Sequence, residues 1–187
     1  PGGLSIYLGE FFVQFFYYPL VGEIITAFLL VCAAGLVKKS RSFNNTCFLP
    51  EGLILLFLLI DILDFNFLYA GIVAYLFCVI FLLAYQRIRK DIVRILTGCL
   101  MSCLLYLIAG SVFVVFAVSL LMLEINVYRI KKSMLLMPLV FMILLVFYLD
   151  HAGYLYYSEI ICFADGIYAL KGGAGWVIYA PWFLLAF

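Results

Sequence analysis

Long apolar stretches separated by short polar segments make up most of this chain of 187 residues. The first stretch, 19–37, has the length of one membrane-spanning helix, because about 20 residues cross a hydrocarbon core of about 30 Å. The next two stretches, 52–86 and 95–128, are each nearly twice that length. A single straight helix of about 35 residues would span roughly 52 Å, so we expect each of these two stretches to fold as a helical hairpin.

The turn of each hairpin is predicted from the polar or small residues near its middle. In 52–86 the break contains Asp61, Asp64 and Asn66, which are too costly at the centre of a bilayer and fit a turn at its surface. In 95–128 the break is the weaker Ala109-Gly110-Ser111. A turn at Gly110 keeps the basic residues that flank this stretch on one side of the membrane, as the positive-inside rule prefers.

The predicted fold is an all-α, polytopic transmembrane bundle of about seven spans, built of short hairpins with interfacial helices outside. The spans are predicted at about 19–37, 52–64, 67–86, 95–109, 111–128, 133–149 and 176–187, with an external connection at 150–175. Because the chain begins without Met and its last apolar run is short, we expect it to be a single membrane domain cut from a longer protein.

Residues 1–18 are predicted to form an interfacial helix. At helical spacing Leu4, Leu8, Phe11 and Phe15 share one side, and Glu10 and Gln14 share another. The high aromatic content suits the boundary between lipid and water. Such a helix could bring Glu10 over the mouth of the bundle, near Glu23 at the start of the first span. The alternative is that Glu10 simply faces the lipid headgroups.

Composition excludes a soluble domain, since 69% of the residues are apolar and 11% are charged, against about 25% charged in ordinary globular domains. The charges are unevenly distributed, and all but one of the eleven Lys and Arg residues fall in three clusters. These are Lys38, Lys39 and Arg41; Arg87, Arg89, Lys90 and Arg94; and Arg129, Lys131 and Lys132. The positive-inside rule assigns the clusters to the cytoplasm and the acidic loops to the extracytoplasmic face.

Charge also limits the partners that can be expected. A net charge of +1 gives no indication of nucleic-acid binding, and membrane lipid is the predicted partner. Glu124, at the basic end of the fifth span, is expected to pair with Arg129 or Lys131. Nothing in the sequence predicts a cofactor.

Asp61 and Asp64 are the strongest candidates for catalysis on residue type alone. Carboxylates at this spacing can hold a divalent cation or supply a general base. The alternative is that the turn needs Asp and Asn for capping and turn geometry.

His151 follows Asp150 and could relay protons near neutral pH, or cap a helix end. As the single His of the chain, it excludes sites that need several His ligands, and no metal site is predicted.

Three segments of the chain resemble a family of uncharacterised multi-pass bacterial inner-membrane proteins with a proline-glycine-glycine-led external segment. They are the opening segment from Pro1 to Pro19, Asp64-Phe-Asn66 before a span, and Tyr106 with Gly110. That resemblance would cover most of the chain. It implies no catalytic residue, because the family has no established activity.

A looser resemblance is to membrane glycosyltransferases that use polyprenyl-phosphate sugars. It implies an extracytoplasmic site in which Glu10 is the base, helped by Asp61 and Asp64. The substrate-binding candidates are then Gln14, Asn66, His151 and Trp176. The chain lacks the early acidic motif that is usual in those enzymes.

Two functional hypotheses follow. The first is a bacterial envelope membrane protein that acts on a lipid-linked sugar at the extracytoplasmic face. The alternative is a non-catalytic membrane anchor or assembly platform for a soluble domain. A transporter is less favoured, because mid-span charges and an internal repeat are missing from the sequence.

Overall fold

The computed structural model describes residues 3–40 and 69–124, and single residues at 56, 58, 59, 140, 141, 144, 147, 148 and 151. The described parts are helical except for short connections at Tyr18 and between Arg87 and Lys90. They comprise α1 (Gly3–Gln14), α2 (Pro19–Ser40), α3 (Tyr69–Gln86), α4 (Asp91–Ala109) and α5 (Phe113–Leu123), with 3₁₀ turns at Phe15–Tyr17 and Gly110–Val112.

Three of these helices, α2, α3 and α4, are long and apolar enough to cross a membrane, with 22, 18 and 19 residues. The chain is therefore a membrane protein. The three helices lie at the predicted spans 19–37, 67–86 and 95–109, although α4 begins four residues earlier than expected. α5 is apolar but has only 11 residues.

Three further predicted spans, 52–64, 133–149 and 176–187, lie outside the described residues except for single helical positions in the first two. The same holds for the turn at 61–66 and for the connection 150–175, of which His151 alone is described. The total of seven spans therefore stays a prediction.

The helix α3 is central to the described bundle and packs against all four other helices. Half of the residues of α3 are buried, compared with 22% of the most apolar 18 residues of α2. One core cluster lies between α3, α4 and α5 and includes Phe113 and Phe116. A second joins α2 to α3 through Ala33, Val37 and Val79.

Pro19 separates α1 from α2. Tyr18 has extended backbone angles, φ −105° and ψ 104°, as the residue before a proline prefers. Its N–H donates to the Phe15 carbonyl at 3.1 Å. Pro19 then starts α2, where its missing N–H costs no helical hydrogen bond.

The helix α1 packs on the bundle by its small residues. Ser5 and Gly9, one turn apart, are buried, whereas Leu4 and Phe11 are 45% and 40% exposed. A β-carbon built on Gly9 would lie 2.4 Å from the backbone nitrogen of Ala70. Small residues let two helix backbones approach closely within a membrane, and large apolar side chains can face lipid instead.

The break predicted at Gly110 is present and separates α4 from α5. Gly110 has φ 65° and ψ −134°, a conformation that favours glycine, and its N–H donates to the Tyr106 carbonyl. Across the turn the rings of Tyr106 and Phe113 meet edge to face, with centroids 5.1 Å apart. The chain thereby reverses direction, so that α4 and α5 form a hairpin.

Candidate functional site at the basic end of the bundle

Three helix ends meet where α3 is joined to α4. We call this the basic end, because Lys38 and Lys39 close α2 here and Arg87, Arg89 and Lys90 connect α3 to α4. The Gln86 amide donates to the Ser40 hydroxyl at 3.1 Å, which ties α2 to the same end.

Tyr85, Arg94 and Glu124 come together at this end, and we refer to them as the Arg94 cluster. Glu124 Oε1 accepts hydrogen bonds from Arg94 Nε and from the Tyr85 hydroxyl, each at 2.6 Å. Glu124 Oε2 accepts from Arg94 Nη2 at 3.1 Å. A guanidinium that binds both oxygens of a carboxylate makes a strong and geometrically specific pair. The cluster therefore connects α3, α4 and the end of α5.

The cluster is closed to the surroundings. Tyr85, Arg94 and Glu124 are 1%, 2% and 5% exposed. A charge removed from water is costly unless it is paired and its remaining hydrogen-bonding groups are satisfied. Here both oxygens of the Glu124 carboxylate accept hydrogen bonds from members of the cluster.

Gly98 makes room for the cluster one turn after Arg94 on α4. A β-carbon at this position would lie 3.0 Å from Tyr85 Cε2 and 3.4 Å from a methyl group of Leu120. The absence of a side chain lets the Tyr85 ring lie against α4, from which its hydroxyl reaches Glu124.

Asp91 adds a second, weaker partner for Arg94. Its Oδ1 lies 3.1 Å from Arg94 Nη2, but the Asp91 side chain is 65% exposed. Exposed ion pairs typically contribute less than about 1 kcal/mol. As the first residue of α4, Asp91 also carries a negative charge where the helix dipole favours one.

The Arg94 cluster is not predicted by the sequence analysis. Glu124 binds Arg94 of α4, and its expected partners Arg129 and Lys131 lie outside the described residues, so that pairing stays a prediction. Arg94 is buried, although the sequence places it in a basic cluster between two apolar stretches. The overlooked signal is spacing: Arg94 and Glu124 lie 16 and 14 residues from Gly110, so a hairpin turning there brings them to the same level.

The residues predicted to form an extracytoplasmic site are not assembled into one by the described parts of the chain. Glu10, Gln14 and His151 are exposed. No hydrogen bond joins Glu10, Gln14 or Glu23 to another polar side chain within the residues that the structure describes. The remaining candidates, Asp61, Asp64, Asn66 and Trp176, lie outside those residues.

A smaller polar contact joins α2 and α3 at the opposite end of α3. The Thr26 hydroxyl donates to the Gly22 carbonyl at 2.9 Å and lies 3.0 Å from the Tyr69 hydroxyl. The Tyr69 ring also meets Phe16, with centroids 4.8 Å apart. Phe16 in turn fills the space over Gly22, where a β-carbon would lie 2.7 Å from its ring. These contacts fix the α1–α2 junction on α3.

Comparison with known proteins places the whole chain, residues 1–187, in a family of unknown function, DUF6057. The chain belongs to this family. Comparisons with curated proteins and with solved structures find no match. The family assignment agrees with the expected relation to proteins without an established activity, and no comparison supports the resemblance to polyprenyl-phosphate-sugar glycosyltransferases.

Proposed function

We propose that this member of the family is a non-catalytic membrane platform, a multi-pass helical domain that anchors and positions an attached domain or a partner protein. The observation that carries the proposal is that the buried charges in the described bundle bind each other. Arg94 and Glu124 are the only charged residues buried there, and their hydrogen bonds with Tyr85 connect three helices.

The position of Glu10 supports the same proposal. Glu10 lies exposed on α1, which is held to α3 by the close approach of Gly9 to Ala70. A catalytic base is usually positioned within hydrogen-bonding reach of an orienting group and of its substrate. Glu10 has no such neighbour among the described residues, whereas a closely packed helix with an aromatic outer surface suits a platform.

The proposed orientation follows the positive-inside rule. The basic end faces the cytoplasm, and α1 lies at the extracytoplasmic interface of an envelope membrane with about seven spans. Tyr7, Tyr17 and Tyr18, which are 65%, 84% and 63% exposed, then lie where amphipathic aromatic rings are favoured. Membrane lipid is the partner of this surface.

The second candidate is an enzyme that acts on a polyprenyl-phosphate-linked sugar. The observation that favours it is that Glu10 and Gln14 are exposed on the same helix as Tyr7 and Phe11. Carboxylates and aromatic rings are groups that sugar-binding sites use. In this hypothesis Glu10, Asp61 and Asp64 are the catalytic residues, and Gln14, Asn66, His151 and Trp176 bind the substrate.

Complementation of a deletion strain by the full-length protein separates the two hypotheses. A platform predicts that Glu10→Gln, Asp61→Asn and Asp64→Asn each restore the parental phenotype and the parental profile of envelope glycolipids. Gly9→Val changes the residue next to Glu10 and should fail, because its side chain displaces α1 from Ala70. Gly3→Val is the matched control, since a β-carbon at Gly3 meets nothing within 4 Å.

Loss of complementation by a carboxylate variant that accumulates at the parental level would overturn the platform. Loss of one defined glycolipid in that variant would establish the enzyme instead.

A further inference from the structure

Two charges that flank the α4–α5 hairpin lie inside the bundle and bind each other. We propose that the Arg94–Glu124 pair is the assembly device of this hairpin. The two charges neutralise each other, so that α4 and α5 enter and remain in the membrane as one antiparallel unit. This role is independent of whether the protein is a platform or an enzyme.

The lengths of the two arms support the pairing. From Arg94 to Ala109 the helix rises about 22 Å at 1.5 Å per residue. The other arm, from the Gly110–Val112 turn through α5 to Glu124, covers a similar distance of about 22 Å, because its 3₁₀ residues rise about 2 Å each. The turn and the two helix lengths therefore place the guanidinium and the carboxylate at equal depth, where both hydrogen bonds form.

That depth makes pairing necessary. A hydrocarbon core is about 30 Å thick, so charges about 22 Å from the Gly110 turn lie within it when the turn is at the far surface. A thinner local bilayer would bring them only to its edge. An isolated charge at such a depth is costly. Pairing lowers that cost for both helices together.

Because of this pair, the residues of the second basic cluster have two different roles. Arg87, Arg89 and Lys90 are exposed and remain available as topology signals. Arg94, by contrast, is neutralised by Glu124 and also contacts the exposed Asp91. The positive-inside rule counts each basic residue as a topology signal and gives carboxylates little weight. Because Glu124 neutralises Arg94, we expect Arg94 to affect the topology only through this pair.

Labelling of a cysteine at position 111 in the full-length protein tests whether Arg94 acts through its pair with Glu124. The probe is Ser111→Cys in a chain with Cys47→Ser and Cys162→Ser, labelled from the extracytoplasmic side by a membrane-impermeant maleimide. The same chain without the probe cysteine gives the background. Glu124→Gln should lower labelling about fivefold or more, because breaking a buried pair leaves an uncompensated charge. Glu23→Gln, which changes an exposed carboxylate, is the matched control and should leave labelling unchanged.

The double variant Arg94→Gln/Glu124→Gln gives the decisive result. It should label within about twofold of the parent, because two neutral amides can hydrogen-bond to each other and to Tyr85 without an unpaired charge. Parental labelling of Glu124→Gln would overturn the proposal, as would a double variant no better than Glu124→Gln. If Glu124→Gln does not accumulate in the membrane, accumulation of the double variant supports the proposal, and its failure to accumulate overturns it.

Discussion

The two ends of the described bundle are held together by different physical means. At the basic end a charged pair and a tyrosine hydroxyl connect three helices through hydrogen bonds of 2.6 to 3.1 Å. At the other end of α3, α1 packs by close backbone contact between Gly9 and Ala70. Both solutions suit a solvent of lipid, in which the hydrophobic effect does not drive helices together, and close packing and hydrogen bonds hold them instead.

The two ends are therefore sensitive to different substitutions. Close packing of small residues fails when volume is added, whereas a buried charge pair fails when one partner is removed. Hydropathy is insensitive to both features, since a stretch of the same mean hydropathy can contain either. The comparison therefore predicts opposite mutational sensitivities at the two ends.

Gly9→Val is expected to have the larger effect on stability among single changes outside the charged pair. We expect the free energy of unfolding to fall by about 2 kcal/mol, as overpacking of a well-packed interface typically costs about 1–3 kcal/mol. Unfolding of the full-length protein in mixed micelles of increasing denaturing-detergent fraction measures this. Gly35→Val in α2 is the control, since a β-carbon there meets nothing within 4 Å; equal losses for both variants would refute the packing of α1 on Ala70.

Tyr85→Phe tests the basic end without adding volume. It removes the hydroxyl that donates to Glu124 and keeps the ring against Gly98, so we expect a loss of about 1 kcal/mol in the free energy of unfolding. Tyr7→Phe removes a hydroxyl from a side chain that is 65% exposed and should be neutral in the same micelle titration. A neutral Tyr85→Phe would mean that the hydroxyl adds nothing to the charged pair.

The sequence predicts the helices of this fold better than their contacts. Pro19 and Gly110 mark breaks because of their own backbone properties, and the length of α2 follows from apolar length alone. These are local properties of the chain. The face by which α1 packs on the bundle is not a local property. The usual rule that large apolar residues lie inside assumes that water is the solvent. In lipid the buried positions are Ser5 and Gly9, and the large side chains at Leu4 and Phe11 are exposed.

The candidate site also depends on contacts that local sequence does not predict. Tyr85, Arg94 and Glu124 lie within 40 residues of one another in sequence, but their meeting depends on the reversal at Gly110 and on equal arm lengths. Charge type alone assigns Arg94 to a cytoplasmic basic cluster and pairs Glu124 with Arg129 or Lys131. Only the combination of the turn with the spacing on each side predicts the pair.

The energetic coupling between Arg94 and Glu124 tests the central claim most directly. The free energy of unfolding of the full-length protein in mixed micelles is measured for the parent, Arg94→Gln, Glu124→Gln and the double variant. If the pair holds the hairpin together, the coupling energy is about 2 kcal/mol, with the double variant more stable than Glu124→Gln alone. Additive losses, with a coupling energy below about 0.5 kcal/mol, would contradict the claim that this pair joins the helices at the basic end.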